Sequence, residues 1–175
     1  SKEAELRPYV ELATPSIAHL TRNGSSSPAI QREAIRILSS LSYGEDGYFF
    51  VYDTRGNNLM HPRQPELVGT DMWNWRDSTG APTIQRLIAL AGGGGGFLRY
   101  TWAKPSSNRP APKLGYVVPI AHWNWVMGTG IYLDDVESAL ALVDAQQSRN
   151  IEETLLWMAG PATGAGVGGG GGGLA

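Results

Sequence analysis

The chain has no cysteine. Disulfides, thiolate zinc sites, iron–sulfur clusters and cysteine nucleophiles are excluded together. The same absence suits an oxidising or a reducing compartment, so it fixes neither. Charge is scarce as well. Charged residues are 17% of the 175, against roughly 25% in an ordinary globular domain. The formal net charge is −2, and the fourteen Lys and Arg form no basic cluster. A nucleic-acid binder carries a basic face or stripe, so the sequence argues against DNA or RNA as the main partner.

Catalytic motifs are missing too. His19, His61 and His122 lie on separate segments, with no His-Glu-x-x-His pair for zinc. There is no Gly-x-Ser-x-Gly elbow. The glycine runs at 92–96 and 168–173 are not followed by Lys-Ser or Lys-Thr, so neither is a phosphate loop. The first run follows a helical pattern and precedes a strand, the reverse of a dinucleotide fingerprint. Asp134-Asp135 suits a helix start, where carboxylates meet the helix dipole. The sequence therefore points to no enzyme, no metal and no cofactor.

Glycine is what the chain has in excess, 23 residues where about 7% of the chain is usual. Outside the two runs the composition is that of a folded domain, with 42% hydrophobic residues overall. The length fits one domain with a real core. Starting at Ser1-Lys2-Glu3 without Met, the chain reads as a segment of a longer protein. No charge occurs from 154 to 175. Thr154 to Ala159 reads either as the start of a membrane span with an interfacial Trp157 or as a flexible tail.

Apolar steps of three and four at Leu6, Tyr9, Val10, Ala13, Ile17 and Leu20 predict a helix over 4–20. Pro15 is expected to kink or split it. Ser27 reads as an N-cap with Pro28 at the first helical position of a second helix that stops near Tyr43-Gly44. The period then changes to two. Strands are predicted at 47–52, 58–61, 97–104, 113–120 and 125–133, with turns at 53–57 and 105–112. Pro119 interrupts the fourth strand. Residues 82–91 form a helix stopped by Gly92, and 134 to about 158 return to helical spacing. The stretch 62–80 has no period and reads as a long ordered loop with one helical turn, of the kind that carries function. The order α-α-β-β-α-β-β-β-α predicts an α+β domain, an antiparallel sheet with helices packed on it.

Aromatics and isolated cations concentrate between 48 and 132. Tyr48, Phe50 and Tyr52 share one face of the first strand, and Tyr100, Trp102 and Lys104 one face of the third. The plain alternative is that the aromatics are core and that Arg76 and Lys113 are solvated. The combination beside a long loop favours a closed site for a small organic anion. Phenols and indoles give apolar walls with directed donors, and a cation gives the charge-assisted bond.

Gly47-Tyr48-Phe49-Phe50-Val51-Tyr52-Asp53, Gly56, Met60-His61-Pro62, Val68-Gly69, Asp77 and Gly80 resemble the single Cache domain, a small extracytoplasmic sensor of bacterial receptors. So do Tyr100-Thr101-Trp102-Ala103-Lys104-Pro105, Pro112 to Val117, and Trp123 to Asp135. The resemblance spans about 30 to 137, in order and spacing. It implies a five-stranded, PAS-like antiparallel sheet beside a long N-terminal helix, set outside the cytoplasmic membrane between two membrane spans. It also implies short carboxylate ligands, of the acetate, propionate, lactate and pyruvate class. The chain departs from the family pattern in the longer polyglycine before Phe97. A second departure is the Trp-rich segment Met72 to Asp77, which would cover the pocket.

The expectation is a periplasmic ligand-binding domain of a chemoreceptor in the inner membrane, spanning 1–137. Residues 138–175 form the exit helix and a tail leading towards a second membrane span. A carboxylate is expected between the sheet and loop 62–80. Arg76, His61, Lys113, Tyr48 and Tyr116 are expected to approach it, with Phe50, Trp73, Trp75, Tyr100 and Trp102 as apolar walls. Alternation puts Lys113 and Tyr116 on opposite faces, so both serve only across a bulge or strand end. Homodimerisation through the N-terminal helix is expected in the full receptor. One rival keeps the domain but attaches it to a histidine kinase or cyclic-di-nucleotide enzyme. Another is a PAS-like module holding haem or flavin, with His61 as an axial ligand.

Overall fold

The structure is a computed structural model that describes residues 1–22 and 24–160. It divides into two compact units, Ser1–Asp135 and Val136–Ala175. The first unit opens with helix α1 (Lys2–Thr21) and helix α2 (Pro28–Ser40). Ser27 caps α2 by accepting from the Ile30 N–H at 3.3 Å, with Pro28 in the first turn. Strands β1 (Ser42–Tyr43), β2 (Gly47–Asp53) and β3 (Asn58–Met60) follow, then a 3₁₀ turn at Pro65–Leu67 and helix α3 (Thr83–Gly92). Strands β4 (Gly96–Lys104), β5 (Arg109–Ile120) and β6 (Trp125–Tyr132) lead into helix α4 (Asp134–Met158).

The strands form one antiparallel sheet in the order β1-β2-β6-β5-β4, with β3 paired to β2. Strand alternation sorts the core into two layers. Phe49, Val51, Trp125 and Met127 face the buried stripe of α1 and α2, including Val10, Ile17 and Leu38. Tyr48, Phe50, Tyr52 and Trp102 face Ile84, Leu87 and Ala91 of α3.

The structure differs from the sequence reading in three places. Helix α1 runs unbroken through Pro8 and Pro15. Its buried residues Leu6, Val10, Ala13 and Ile17 lie on both sides of Pro15, so packing against the sheet holds the helix through the missing bond. Thr14 and Ser16 hydroxyls donate to the Val10 and Ala13 carbonyls in the same stretch. Second, α2 ends at Ser40, and Ser42–Tyr43 pairs with β2 as a sixth, two-residue strand too short to show a period.

Third, β5 starts at Arg109 and continues through Pro110, Pro112 and Pro119. β6 pairs only from Lys113 onward, and β4 only as far as Val117. Each proline therefore pairs along the strand with one neighbour only, and opposite Pro112 only the Leu133 N–H bond to the Pro112 carbonyl remains, at 2.8 Å.

Pro15 is exposed yet removes one helix bond. Pro15→Ala is expected to raise stability by about 1–3 kcal/mol, read as a higher midpoint in thermal or urea unfolding. An unchanged midpoint would show that α1 accommodates the ring without cost.

In the second unit α4 carries exposed Leu142, Val143, Ile151, Leu155, Leu156 and Trp157. Among the described residues no helix is long and apolar enough to cross a membrane. The expected tail over 161–175 lies outside the described residues.

Candidate ligand-binding site

Alternation along β2 sends Tyr48, Phe50 and Tyr52 to the α3 side of the sheet, each no more than 3% exposed. Lys113 from β5 and Tyr100 and Trp102 from β4 join them on that side. His61 arrives from the end of β3, and Ile84 and Leu87 of α3 close the roof. Together they enclose a cavity of about 10 Å³, room for at most one water. In this conformation it has no room for a haem or a flavin.

Three glycines form the floor. A methyl group on Gly128 would lie 2.5 Å from the Phe50 ring and 2.8 Å from Val117 Cγ1. One on Gly115 would lie 2.6 Å from the Tyr100 ring. One on Gly130 would overlap Lys113 Cε and lie 2.8 Å from the Leu114 carbonyl oxygen. Glycine at these positions lets two rings and the lysine stem lie flat on the sheet.

Lys113 is 1% exposed. Among the described residues no carboxylate lies within 4.0 Å of its ammonium. What surrounds Nζ is aromatic: the ring centroids of Tyr48, Phe50, Tyr132 and Tyr100 lie at 4.3, 5.1, 5.2 and 5.6 Å. Nζ also donates to Tyr48 Oη at 3.0 Å. Burial lowers the lysine pKa to about 7. The ring faces and the phenol oxygen act in the opposite sense, favouring the charged form. Burial likewise raises Tyr48 and Tyr100 well above the usual phenol value and Tyr52 to about 12. These phenols are neutral donors at pH 7.

His61 Nδ1 accepts from the Gln64 N–H at 3.0 Å. That bond assigns the neutral ring as the Nε2–H tautomer. Burial, and then the nearby Lys113 charge, lower its pKa to about 3, so it stays neutral near pH 7. The ring sits 4.8 Å from Tyr48 and 6.1 Å from Trp102. Trp102 Nε1 donates to Gln64 Oε1 at 2.8 Å, tying the long loop to β4. Trp75 packs on the other side of Trp102 at 4.9 Å. Beyond this pair an outer cleft of about 220 Å³ opens, lined by Gln64, Leu67, Met72, Trp75 and Trp102. Gln64 and Trp102 therefore separate a nearly filled inner chamber from an open outer one.

The model of single Cache domain 2 matches residues 1–146. The chain belongs to this family. It is 43% identical over 160 residues to the sensor histidine kinase MctS of Rhizobium johnstonii, covering 91% of this chain and 35% of that protein. It is 33% identical over 117 residues to the methyl-accepting chemotaxis protein McpP of Pseudomonas putida, covering 66% and 22%. The chain thus spans about a third or less of the curated relatives it matches. A methyl-accepting chemotaxis protein of Vibrio parahaemolyticus superposes with a TM-score of 0.72 at 37% identity, over 77% of this chain and 90% of that one. A Cache chemosensory domain solved as the structural basis for carboxylic acid recognition gives 0.70 at 28%, over 75% and 93%.

This Cache domain brings six of the ten expected residues to its inner chamber: Tyr48, Phe50, His61, Tyr100, Trp102 and Lys113. Trp75 lines the outer cleft instead. Three residues require correction. Arg76 is exposed and donates from Nη1 to the Gly80 carbonyl at 3.1 Å, so it serves the loop's own turn. Trp73 is 38% exposed, and its carbonyl accepts from Gln85 Nε2. Tyr116 lies on the α1 side, 4.4 Å from the Phe97 ring and beneath Arg7. The β5–β6 register is regular from Lys113 to Ile120, so no bulge brings Tyr116 round. Tyr52, Ile84 and Leu87 complete the lining. Tyr52 follows Tyr48 and Phe50 by strand alternation, whereas Ile84 and Leu87 depend on which sheet face α3 covers, which no sequence pattern marks.

Proposed function

We propose that this Cache domain is an extracytoplasmic sensor that binds a short-chain carboxylate in the chamber under α3. Lys113 carries the reading: a buried ammonium ringed by aromatics and, among the described residues, without a carboxylate within 4.0 Å. Lys104, by contrast, is buried beside Asp46 at 4.0 Å and Asp134 at 3.2 Å. A carboxylate would supply the counter-charge that Lys113 lacks. His61 Nε2–H stands among the chamber's lining groups as a neutral donor to it. Phe50, Ile84, Leu87 and Trp102 suit a chain of two to four carbons. Entry requires the Gln64–Trp102 bond to open, because the chamber as described is full. The relative solved with carboxylic acid recognition supports the same class.

A thermal-shift screen of acetate, propionate, lactate and pyruvate against amino acids, amines and sugars tests this. A ligand at a hundred times its dissociation constant adds about 2.7 kcal/mol, a rise of several degrees at this size. Stabilisation confined to amines or sugars would overturn the carboxylate assignment.

Binding should also take up protons. The free site has a lysine pKa of about 7, and a bound carboxylate raises it. Above pH 7, affinity is expected to fall about tenfold per pH unit. Calorimetry in two buffers of different ionisation heat should show uptake of close to one proton at pH 8.5. A flat pH profile from 7 to 9 would remove Lys113 as the anion's partner.

The output is proposed at the level of the receptor: a periplasmic domain signalling across the inner membrane for chemotaxis. The 43% identity over 160 residues to a sensor histidine kinase favours a kinase output as the second reading. Fusing the domain to each class of cytoplasmic module and assaying carboxylate-dependent signalling distinguishes the two.

A further inference from the structure

Three groups behind Lys113 form a line with it. Lys113 Nζ lies 3.0 Å from Tyr48 Oη, which lies 3.2 Å from Tyr132 Oη, which lies 2.6 Å from the Ala103 carbonyl oxygen. A carbonyl only accepts, so the Tyr132 hydroxyl must spend its proton on Ala103. Tyr132 then faces Tyr48 as an acceptor, and the Tyr48 hydroxyl must donate to it. That leaves only oxygen lone pairs on Tyr48 to face the lysine. Three residues on three strands fix the direction of every proton in the line.

We propose that Tyr132 is a positioning residue for the ligand site: its hydroxyl orients Tyr48 as an acceptor and thereby holds Lys113 as an ammonium aimed into the chamber. Without the Tyr132 hydroxyl, the Tyr48 proton is free to turn toward Nζ. A phenol donating to nitrogen stabilises the neutral amine, which has a lone pair to accept it. A phenol accepting from nitrogen stabilises the ammonium. Tyr132 thus selects the protonation state of a residue that it meets only through its ring face, at 5.2 Å. The titratable groups facing Nζ are Tyr48 from β2, Tyr100 from β4, Tyr132 from β6 and His61 at the end of β3. Burial holds the three tyrosines above their usual range, and His61 is neutral near pH 7, so none changes charge while the lysine titrates.

The chain has only three lysines, Lys2, Lys104 and Lys113, so ¹³C-labelled lysine gives a resolvable titration. In the unmodified chain the Lys113 ε-carbon midpoint is expected near 7. Tyr132→Phe is expected to lower it by about half to one unit, the worth of one reoriented hydrogen bond. Tyr43→Phe deletes a part-buried hydroxyl, bonded to Thr129 and the Gly130 carbonyl, from the α1 side of the sheet, and is expected to leave the midpoint where it was. An unchanged or raised midpoint in Tyr132→Phe overturns the proposal. So does an equal fall in both variants, which would indicate general loosening.

If Tyr132→Phe does not fold, the unmodified chain still decides. The Tyr48 hydroxyl proton must show a nuclear Overhauser effect to the Tyr132 ring; a contact to the Lys113 ε-methylene instead overturns the assignment. Propionate serves as the ligand probe, and its affinity at pH 8 is expected to fall about three- to tenfold in Tyr132→Phe. That arm rests on the carboxylate reading, whereas the lysine midpoint does not. Propionate failing to bind the unmodified chain sinks the reading and leaves the positioning role to be judged by the midpoint.

Discussion

Lys113→Met is expected to make the domain more stable and unable to bind carboxylates. Methionine has nearly the same length and bends into the same space. It removes a charge whose burial costs free energy. The folded pKa of about 7 lies below the unfolded value of 10.5. Below pH 7 both states are protonated, and the full cost of burying the charge is present. Between pH 7 and 10.5 the unfolded chain holds one more proton than the folded one, so stability rises with pH by about 1.4 kcal/mol per unit. The whole cost is on the order of 5 kcal/mol. Methionine should recover about 1–4 kcal/mol of it at pH 6. Urea unfolding at pH 6 and pH 9 checks this. The unmodified chain should gain stability between the two pH values, and the variant should lose that slope. Above pH 10 the buried tyrosines reverse the trend, because their raised pKa values make the folded state hold protons that the unfolded chain gives up. A variant that is less stable at pH 6 would mean that the aromatic cage already compensates the buried charge.

Gly128→Ala is expected to have the largest effect in the other direction. Its methyl group would press on the Phe50 ring and on Val117 Cγ1, both within 2.8 Å. Phe50 can give way only toward the small cavity it lines, with Lys113 Nζ 5.1 Å and the Tyr52 ring 5.9 Å from its own ring. Overpacking of this kind costs about 1–3 kcal/mol, a fall of roughly 2–12 °C at this size. Carboxylate stabilisation should disappear with it, since the displaced ring moves into a cavity of about 10 Å³. Gly92→Ala is the matched control: nothing lies within 4 Å of its added methyl. Equal melting temperatures for the two variants would show that the sheet floor is not tightly filled.

Legibility in the sequence followed the regularity of the backbone. Tyr48, Phe50, Tyr100 and Trp102 lie on the strand faces that counting gives them, because a strand repeats every two residues. The same counting separated Lys113 from Tyr116, and the regular β5–β6 register upheld that separation. Arg76 and Trp73 failed because loop 62–80 has no period, so nothing in the sequence fixes where a side chain points. Asp77 folds that loop on itself by accepting from the Thr79 and Ala81 N–H groups, and Arg76 follows the turn outward. The helix does not split at Pro15 because propensity is local, while the buried stripe that carries α1 through the proline is tertiary. Tyr132 was invisible as a partner of the site. Its role depends on Tyr48, 84 residues away in sequence, and on a carbonyl that no pattern marks.

An anion that arrives at Lys113 with a proton changes what a receptor of this design measures. Under the proposed reading, occupancy above pH 7 depends on the product of anion and proton concentrations. By mass action that product is the concentration of undissociated acid multiplied by its dissociation constant. The domain would then respond to the activity of the free acid, the form that crosses lipid bilayers unaided and acidifies the cell, although only the anion touches the protein. Above pH 7 and below saturation, two environments with the same total acetate but one pH unit apart would differ about tenfold in occupancy. A single ammonium, held by three tyrosines over a floor of glycine, would then fold anion and proton into one variable.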